Sequence, residues 1–443
     1  MSKFGTDGIR GKANVTLDVM TAYRIGCFLG DYFSKEGKHK IVIGKDTRLS
    51  GGMLEAAISA GITACGCDVY QIGVCPTPCV SYLVKEEGFA CGVMISASHN
   101  PYYDNGIKVF SSKGTKLDRN VEEKIENYIN SSDNLQLKND GLIGEIVHMD
   151  GGVDKYLTWL NEIVPICLDG YKVAIDAANG SATTTAYKLL TKMGAKCDII
   201  HNTPDGININ TNCGSTHPED LIDMVKNGDY DIGLAFDGDA DRLMAIAPDG
   251  QVIDGDKTIY CCGKNMKEQG ILANDTVVTT VMANLGLFRK LEEESLGCKV
   301  TQVGDKYVYE CMVNESYDLG GEQSGHIIFG KHATTGDGLL TALKLLEVMV
   351  NTKKSINELT DDLFVYPQLL VNVPVNDKES ALHDIEVNAM CKEIENILGK
   401  EGRILVRPSG TEPLVRVMVE AKTDEICHKY VHKVVDLIKE KKL

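Results

Sequence analysis

A repeated order of segments narrows the fold of this chain: an apolar run, a polar or glycine-rich turn, and then a helix-like stretch. The three apolar runs are residues 40–44, 172–176 and 276–280, and the second leads into a helix-like stretch at residues 182–193. This alternation is typical of βαβ units, in which helices join parallel strands. We therefore predict an α/β protein with three related α/β domains and mixed, largely parallel sheets.

The composition agrees with such a fold and argues against some classes of partner. The chain has 443 residues, of which 43% are hydrophobic and 25% are charged, so several domains can each bury a core. A formal net charge of −17 argues against nucleic acid as the main partner, because no basic stripe offsets it. The sequence has no signal-peptide pattern and no apolar stretch of membrane-spanning length, so we expect no membrane partner.

The cysteines indicate a cellular compartment. All 15 are scattered along the chain, many of them inside apolar runs, and none belongs to a Cys-x-x-Cys pair. A zinc or redox motif is therefore not indicated. Reduced thiols of this kind are typical of the cytosol, so we expect a cytoplasmic protein.

A strand-like run, residues 91–95, leads into a polar loop that contains Ser98 and His99, and Lys108 follows ten positions after the serine. α/β proteins concentrate their chemistry at the ends of such strands. Ser98 is therefore a candidate for a covalent serine intermediate. Two other interpretations remain open for this segment alone. One is an acyl-transfer serine, although Ala97 and His99 replace the glycines of a Gly-x-Ser-x-Gly elbow; the other is a polar loop that only caps the strand.

A second strand-like run, residues 232–236, is followed by three carboxylates at alternate positions: Asp237, Asp239 and Asp241. Carboxylates spaced in this way can converge on one point from a tight loop, and a hard divalent cation prefers such oxygen ligands. The loop continues into another strand-like run and lacks the later glycine and glutamate of an EF-hand, so we favour magnesium over calcium. A solvated acidic turn is the alternative interpretation.

Two further polar segments contain candidate ligand-binding residues. Glu322, Ser324 and His326 lie among glycines, and their mixture of groups suits the hydroxyls of a sugar. Residues 407–413 begin with Arg407 and continue with hydroxyls and a glycine turn, a pattern that can form a phosphate-binding nest. Taken alone, each segment is also compatible with an ordinary turn.

Together, these segments resemble a known family. The chain is similar to the α-D-phosphohexomutase superfamily and, within it, to the bacterial phosphoglucosamine mutases. The resemblance runs from Phe-Gly-Thr-Asp-Gly-Ile-Arg-Gly at residues 4–11 to the loop at residues 407–413, in the family's order and at its spacings. The opening motif, Ser-Ala-Ser-His-Asn-Pro at residues 96–101 and Gly-Glu-Gln-Ser-Gly-His at residues 321–326 resemble the glucosamine branch.

The resemblance implies a role for each candidate residue. Ser98 matches the serine that is phosphorylated in this family, and it would share a magnesium ion with Asp237, Asp239 and Asp241. The implied catalytic residues around the phosphoryl group are Ser98, Arg10, His99, Lys108 and His326, with Lys108 or His99 as the general base. The implied substrate-binding residues are Arg242, Glu322, Ser324, Arg407, Ser409, Gly410 and Thr411.

The resemblance also implies a reaction cycle. Phosphorylated Ser98 gives its phosphoryl group to the substrate, and the sugar 1,6-bisphosphate so formed returns its other phosphate to Ser98. The implied net reaction isomerises glucosamine 6-phosphate to glucosamine 1-phosphate, on the route to UDP-N-acetylglucosamine and peptidoglycan. One Mg2+ per subunit is expected as cofactor, glucosamine 1,6-bisphosphate as intermediate and activator, and a small hexosamine phosphate as partner. A homodimer is the expected assembly.

Two alternative functions remain open at this point. A phosphomannomutase or phosphoglucomutase of the same superfamily would share all the groups that move the phosphoryl group, and only the sugar loop and the opening motif favour glucosamine. A non-catalytic sugar-phosphate-binding protein is an alternative of another class. The serine, the three aspartates and the basic residues, all present, argue against it.

Changes in composition suggest where the domains meet. Residues 131–150 are polar and loop-rich, residues 248–256 form a turn, and a new strand-like run follows Pro367. We predict three α/β domains, at residues 1–150 with the phosphoserine loop, 151–253 with the metal loop and 254–366 with the sugar loop. The resemblance implies a smaller C-terminal α+β domain, which we place at residues 367–443 and expect to bind phosphate.

Overall fold

The structure, a computed structural model, describes residues 4–5, 7–35, 37, 39–409 and 413–441. It contains two compact units: Met1–Met282 with Leu296–Asp361, and Ala283–Ser295 with Asp362–Leu443.

Six strands of the first unit form its first sheet: β1 (Ile9–Lys12), β2 (Lys40–Lys45), β3 (Asp68–Val74), β4 (Cys91–Ile95), β5 (Asp104–Ser111) and β6 (Ile146–His148). The helices of this region are α1 (Val19–Lys35), α2 (Gly51–Ala64), α3 (Thr77–Glu86) and α4 (Arg119–Asn130). The strand order is β1-β5-β4-β2-β3-β6. β2 is parallel to β3 and β4, β3 is parallel to β6, and β5 is antiparallel to β1 and β4. The predicted mixed, largely parallel sheet is confirmed here.

The second sheet belongs to the next part of the chain. Its elements are α5 (Gly152–Ile163), β7 (Lys172–Asp176), α6 (Ala186–Lys192), β8 (Lys196–Ile200), α7 (Glu219–Asn227), β9 (Ile232–Phe236), β10 (Leu243–Ile246) and β11 (Val252–Ile253). The strand order is β11-β10-β9-β7-β8, with β7 parallel to β8 and β9 and the other pairs antiparallel. The loop between β9 and β10 is the predicted metal loop.

The helix that we predict at residues 182–193 is shorter in the structure. A 3-10 helix occupies Ser181–Thr184, and α6 begins only at Ala186. Thr185 interrupts the two with φ −126° and ψ −51°. The backbone N–H of Ser181 donates to Gly238 O at 2.9 Å, so this first turn is fixed by the metal loop and does not continue as a regular helix.

The third sheet lies in the part of the chain with α8 (Gly255–Glu268), β12 (Thr276–Thr280), α9 (Leu285–Glu293), β13 (Gly297–Thr301), α10 (Asp305–Glu315), β14 (Leu319–Gly321), β15 (Ile327–Phe329), α11 (Gly338–Thr352) and α12 (Ile356–Thr360). The strand order is β13-β12-β14-β15, and β12 is parallel to both of its neighbours. Residues 283–295, which include α9, belong to the second unit.

The second unit is built on a three-stranded antiparallel sheet in the order β16-β18-β17, from β16 (Gln368–Pro374), β17 (Gly402–Pro408) and β18 (Leu414–Ala421). Its other helices are α13 (Lys378–His383), α14 (Ile385–Leu398) and α15 (Asp424–Glu440). Within this unit, the backbone N–H of Leu285 donates to Glu420 Oε2 at 3.0 Å. The expected small α+β domain at the carboxyl end is confirmed.

The strands that lead into the predicted site are central and fully covered. All five residues of β4 and all five of β9 are buried. A continuous apolar run is typical of a strand whose two faces are both covered by other elements. The polar residues that follow each strand are therefore the first that a ligand can reach. No helix within the described ranges is both long enough and apolar enough to cross a membrane.

Candidate active site

Ser98 and the aspartate loop, predicted from separate segments, meet in the structure. Ser98 follows β4, and its Oγ donates a hydrogen bond to Asp237 Oδ2 at 2.6 Å. Both side chains are 1% exposed. The carboxyl ends of β4 and β9 thus bring a buried hydroxyl against a buried carboxylate, which is the arrangement that the phosphoserine prediction requires.

The backbone holds Ser98 in an unusual conformation. Its φ is +53°, in the left-handed region that non-glycine residues rarely adopt. The N–H of Ser98 donates to Ser96 Oγ at 2.9 Å, so the hydroxyl of Ser96 supports the backbone of the loop. Ser98 is the serine whose hydroxyl contacts the aspartate loop, whereas the hydroxyl of Ser96 interacts with Asp46.

The three aspartates form a buried cluster. Asp237, Asp239 and Asp241 each offer one oxygen such that these atoms lie within 4.8 Å of one another. Burial, followed by the charges of Asp241 and Asp239, raises the pKa of Asp237 well above its usual value. Asp239 Oδ1 and Asp241 Oδ1 are buried and accept no hydrogen bond from the described residues. A hard divalent cation would offset the repulsion between the three carboxylates and would bind their unused oxygens. The residues therefore fit Mg2+.

Thr77 is a contact of this cluster that the sequence did not reveal. It begins α3, and its Oγ1 donates to Asp239 Oδ2 at 2.5 Å while its backbone N–H donates to Asp239 O at 2.9 Å. The first bond orients the Asp239 carboxylate, and the second fixes the main chain of the same residue. No motif marks Thr77, because the contact joins residues 162 positions apart.

Lys108 lies among the carboxylates. From β5, its Nζ is 2.8 Å from Asp239 Oδ2, 3.2 Å from Asp241 Oδ2 and 2.8 Å from Asp7 Oδ2. Burial alone would lower the pKa of Lys108, but the three carboxylates raise it well above its usual value. In this geometry Lys108 is an ammonium that neutralises charge. Its predicted role as general base stays a prediction.

His99 has the opposite character. Burial, together with the charges of Arg242 and Arg10, lowers the pKa of His99 to about 4. Its imidazole is therefore neutral near pH 7, and Nδ1 lies 3.3 Å from Ser98 Oγ. A neutral ring nitrogen at this distance can accept a proton from a hydroxyl.

Asp7 joins three of the cations around the site. Arg10 Nη2 donates to Asp7 Oδ2 at 2.6 Å, Lys108 contacts the same oxygen, and Lys116 Nζ is 3.0 Å from Asp7 Oδ1. Burial alone would raise the pKa of Asp7, but these cations hold it well below its usual value. The sequence motifs indicate no role for Asp7, although it lies in the same opening motif as Arg10.

Arg242 follows the aspartates directly. Its backbone N–H donates to Asp237 Oδ1 at 3.2 Å, and its side-chain Nε lies 3.8 Å from Asp241 Oδ1. Nε is buried and makes no hydrogen bond to the described residues. A buried guanidinium nitrogen that makes no hydrogen bond to the described residues, beside this cluster, is suited to a phosphoryl oxygen.

The predicted sugar-binding residues lie around the turn between β14 and β15. Glu322 Oε1 accepts the backbone N–H of Gly304 at 3.0 Å. Ser324 Oγ is buried and has no hydrogen-bond partner among the described residues. A buried hydroxyl without a partner favours a polar ligand at this place.

His326 occupies a fixed orientation. Its Nε2 accepts the backbone N–H of Gly336 at 2.9 Å, and its Nδ1 is 3.7 Å from Asp241 Oδ1. Because Nε2 accepts this bond, the ring carries a proton on Nδ1, toward Asp241. The side chain is 4% exposed.

The predicted phosphate loop belongs to the second unit. Arg407 lies on β17 opposite Arg416 on β18, and burial with the charge of Arg416 lowers the pKa of Arg407. The Arg407 Nε is buried and without a hydrogen-bond partner in the described part of the chain. Lys378 Nζ donates to Ser409 O at 2.8 Å. Adjacent cations with an unused donor are suited to an anion. Gly410 and Thr411 lie outside the described residues.

Comparison with known families gives a match along most of the chain. Four models described as phosphoglucomutase/phosphomannomutase match in order. They are alpha/beta/alpha domain I at residues 1–136, domain II at 154–250, domain III at 254–366 and the C-terminal domain at 370–437.

Individual proteins are similar over their whole length. The phosphoglucosamine mutase of Lachnoclostridium phytofermentans is 52% identical over 439 residues, which are 99% of this chain and 98% of that protein. A phosphoglucomutase/phosphomannomutase family protein from Burkholderia thailandensis has a TM-score of 0.83 at 25% identity, covering 98% of this chain and 97% of that chain.

A third protein shares the fold at lower identity. The structure of Aspergillus fumigatus N-acetylphosphoglucosamine mutase, in complex with GlcNAc-6P and magnesium, has a TM-score of 0.74 at 17% identity, and it covers 100% of this chain and 96% of that chain. The resemblance indicated by the sequence motifs is confirmed, and the chain belongs to the phosphoglucomutase/phosphomannomutase family.

Proposed function

We propose that this protein is a phosphoglucosamine mutase, an isomerase that interconverts glucosamine 6-phosphate and glucosamine 1-phosphate through a phosphoserine and a sugar 1,6-bisphosphate. The observation that carries the proposal is the position of Ser98. Its buried hydroxyl lies 2.6 Å from Asp237 and 3.3 Å from the neutral imidazole of His99. The 52% identity to a phosphoglucosamine mutase over nearly all of both chains supports the choice of substrate.

In the first half of the proposed cycle, the sugar O1 hydroxyl attacks the phosphorus of phosphorylated Ser98. The new O1–P bond forms as the Ser98 Oγ–P bond breaks, and the proton of the attacking hydroxyl passes through His99 to the leaving Ser98 Oγ. In the second half, Ser98 Oγ gives this proton back to His99 as it attacks the 6-phosphate, the P–O6 bond breaks, and O6 takes up the same proton. Phosphoryl transfer of this kind depends mainly on positioning and on neutralising oxygen charge.

We propose that Asp237, Asp239 and Asp241 hold one Mg2+, with Ser98 supplying a further oxygen. When bound, Mg2+ would neutralise phosphoryl charge and orient the group for in-line transfer. Two unused carboxylate oxygens in the buried cluster support this assignment. Lys108, 3.2 Å from Asp241 Oδ2, and Arg242, 3.8 Å from Asp241 Oδ1, add fixed positive charge beside these carboxylates, and Arg10 pairs with Asp7 at 2.6 Å.

The substrate is recognised, in this proposal, by two separate sets of residues. Glu322 accepts hydrogen bonds from sugar hydroxyls, and Ser324 exchanges hydrogen bonds with them. His326 lies beside these two residues. Arg407 and Ser409, with Gly410 and Thr411, hold the phosphate that is not reacting. The paired arginines on β17 and β18 support an anion at the second set.

A mutase assay tests this proposal directly. The enzyme is given glucosamine 6-phosphate, Mg2+ and a catalytic amount of glucosamine 1,6-bisphosphate, beside glucose and mannose phosphates, with Ser98→Ala as the control. Peptide mapping of the phosphorylated enzyme separates Ser98 from Ser96. We expect glucosamine turnover that Ser98→Ala abolishes, and phosphate on Ser98 only.

Other outcomes would lead to other functions. Faster turnover of glucose or mannose phosphate would make the protein a phosphoglucomutase or phosphomannomutase with the same mechanism. Binding of sugar phosphate without phosphorylation of Ser98 would support the non-catalytic binding protein.

We also propose a cytoplasmic location and a homodimer. None of the 15 cysteines, which all lie in the described ranges, forms a disulfide, and this supports a reducing compartment. The dimer rests on family resemblance. Light scattering of the purified protein measures the assembly, and a monomeric mass would reject the dimer.

A further inference from the structure

Arg48, in the turn after β2, donates hydrogen bonds to the backbone of the loop that begins at Ser98. Its side chain is 0% exposed, and its Nε donates to Asp46 Oδ2 at 2.9 Å. Four carbonyl oxygens accept from its two terminal nitrogens: those of Pro101 at 2.5 Å, Asp104 at 3.1 Å, Ser98 at 2.9 Å and Asn100 at 2.8 Å. One guanidinium therefore gathers the carbonyls of residues 98–104.

Asn210 reaches two of the same carbonyls from another part of the chain. Its Nδ2 is 2.8 Å from Ser98 O and 3.2 Å from Asn100 O. Its own backbone N–H donates to Ala178 O at 3.0 Å, which ties it to the residues that follow β7. The carbonyl of Ser98 thus accepts from both Arg48 and Asn210.

The loop needs these donors for a physical reason. Four carbonyl oxygens turned toward one point repel one another unless a donor lies between them, and the buried carbonyl of Ser98 in particular requires a hydrogen-bond donor. Ser98 is in addition held at φ +53°, a conformation that persists only when the surroundings over-determine it. A planar, permanently charged guanidinium with several donors meets both needs at once.

We propose that Arg48, supported by Asn210, is a positioning residue for phosphoryl transfer. The two side chains fix the backbone of residues 98–104 and so keep Ser98 Oγ against Asp237. They act through backbone carbonyls and touch no reacting atom. The inference rests on the proposed phosphoserine mechanism and adds to it the groups that hold the serine.

The role of Arg48 depends on the planar shape of its guanidinium as well as on its charge. Lysine keeps the charge, but a compact ammonium with three donors cannot serve four carbonyls arranged around a planar fork. A misplaced Ser98 weakens the transfer step while the sugar and phosphate contacts remain. Displacement of a reacting group by about 1 Å costs on the order of 100-fold in rate. The loss therefore falls on kcat and leaves KM nearly unchanged.

Arg48→Lys and the milder Asn210→Ala test the proposal, with Arg24→Lys as a matched control. Arg24 also donates to backbone carbonyls of its region, those of Tyr128, Ser131 and Asp133, but away from the Ser98 loop. The measurements are kcat and KM for glucosamine 6-phosphate, and amide hydrogen exchange of residues 96–105. For Arg48→Lys we expect kcat to fall about 100-fold with KM within about threefold of wild type, and faster exchange confined to this loop.

The controls make the result decisive. Asn210→Ala should give a smaller loss of kcat with the same constant KM, and Arg24→Lys should leave both parameters and the exchange of the loop unchanged. Wild-type kcat in Arg48→Lys, or a parallel loss in Arg24→Lys, would overturn the proposal. If the wild type turned over no hexose phosphate, the proposed function would fail, and the exchange rates would still decide whether Arg48 fixes the loop.

Discussion

Lys108 and Asp239 form an ion pair in the interior of the protein, with Nζ 2.8 Å from Oδ2 and the side chains 4% and 0% exposed. The same ammonium lies 3.2 Å from Asp241 Oδ2. Removing one partner of a buried pair leaves the other charge uncompensated, which costs more than the pair contributes. The pair therefore makes the stability of the protein sensitive to Lys108 before any catalytic effect is considered.

We expect Lys108→Met to destabilise the protein by about 3 kcal/mol, because the buried carboxylates of Asp239 and Asp241 lose the ammonium that pairs with them. Urea unfolding without Mg2+ measures the loss. Mg2+ should restore more stability to this variant than it adds to the wild type, since the carboxylates no longer pair with the ammonium and bind the cation more tightly in the folded state. Lys85→Met is the control: Lys85 is 56% exposed. An equal response of both variants to Mg2+ would contradict the expectation.

Asp239→Asn should remove most of the stabilisation that Mg2+ gives to the folded protein. The substitution deletes one charged ligand, and the amide binds a hard cation weakly. The measurement is the rise in unfolding temperature on adding Mg2+, which we expect in the wild type and not in the variant. Asp249→Asn, at an exposed turn before β11, is the matched control and should keep the full rise. A full rise in Asp239→Asn would place the cation elsewhere.

The buried carboxyl of Asp337 should make the free energy of unfolding depend on pH. It caps α11, where its Oδ1 accepts the N–H of Leu340 at 2.9 Å and the hydroxyl of Tyr156 at 2.9 Å. Burial raises the pKa of Asp337 to about 6 from its usual 3.8. Between these pH values the folded protein holds a proton that the unfolded chain has lost, so stability falls as pH rises through the window. The cost is fully present above about pH 6 and amounts to about 3 kcal/mol.

Asp337→Asn should remove this cost, because the amide keeps an acceptor oxygen and carries no charge. Relative to the wild type, the variant should gain stability between about pH 4 and pH 7, as measured by urea midpoints. Asp377→Asn, at the exposed cap of α13, should show no such gain. A difference from the wild type that stayed constant with pH would refute the assignment to Asp337.

Gly238→Ala should displace the Ser98 loop. A Cβ at Gly238 would lie 2.7 Å from Ser98 O and 2.8 Å from Asn210 Nδ2, where no side chain fits without movement. We expect a loss of stability of about 1–3 kcal/mol and a fall in kcat at nearly constant KM. Gly52→Ala is the control, since a Cβ there meets no atom within 4 Å. It lies in α2 and should be neutral or stabilising by up to about 1 kcal/mol. Unchanged kcat in Gly238→Ala would show that the loop tolerates the shift.

Arg407→Lys should weaken binding of the substrate and leave the chemical step nearly intact. The proposed contact is with the phosphate that does not react, and a charge-assisted hydrogen bond is worth about 1.5–3 kcal/mol. KM for glucosamine 6-phosphate should therefore rise about tenfold or more. Lys422→Met is the control for the loss of a positive charge elsewhere in the same unit, because the Lys422 side chain is 59% exposed. Loss of kcat at constant KM would instead place Arg407 at the reacting phosphate.

Local sequence patterns predicted the parts of the site that follow strands. An apolar run that ends in a polar loop marks the end of a buried strand, and this placed Ser98 after β4 and Asp237 after β9. Family resemblance then paired the two segments, and the structure brings them to 2.6 Å. The alternation of strands and helices likewise predicted the three α/β sheets.

The groups that support the site were not predictable in this way. Arg48 donates to carbonyl oxygens, and backbone acceptors leave no trace in the side-chain pattern. Asp7 acquires its importance from Lys108 and Lys116, which are far from it in sequence and come close to it only in the fold, where β5 pairs with β1. The start of the predicted helix at residues 182–193 was wrong for the same reason. A bond from the N–H of Ser181 to Gly238 O, which is distant in sequence, reshapes its first turn.

The left-handed backbone of Ser98 restricts which amino acid can carry the phosphoryl group. Threonine offers the same hydroxyl chemistry, but its branched Cβ makes a φ near +53° strongly unfavourable. Ser98→Thr would have to unwind the residue toward extended backbone and draw its carbonyl away from Arg48 and Asn210. Serine is therefore required at this position by its lack of branching as well as by its oxygen.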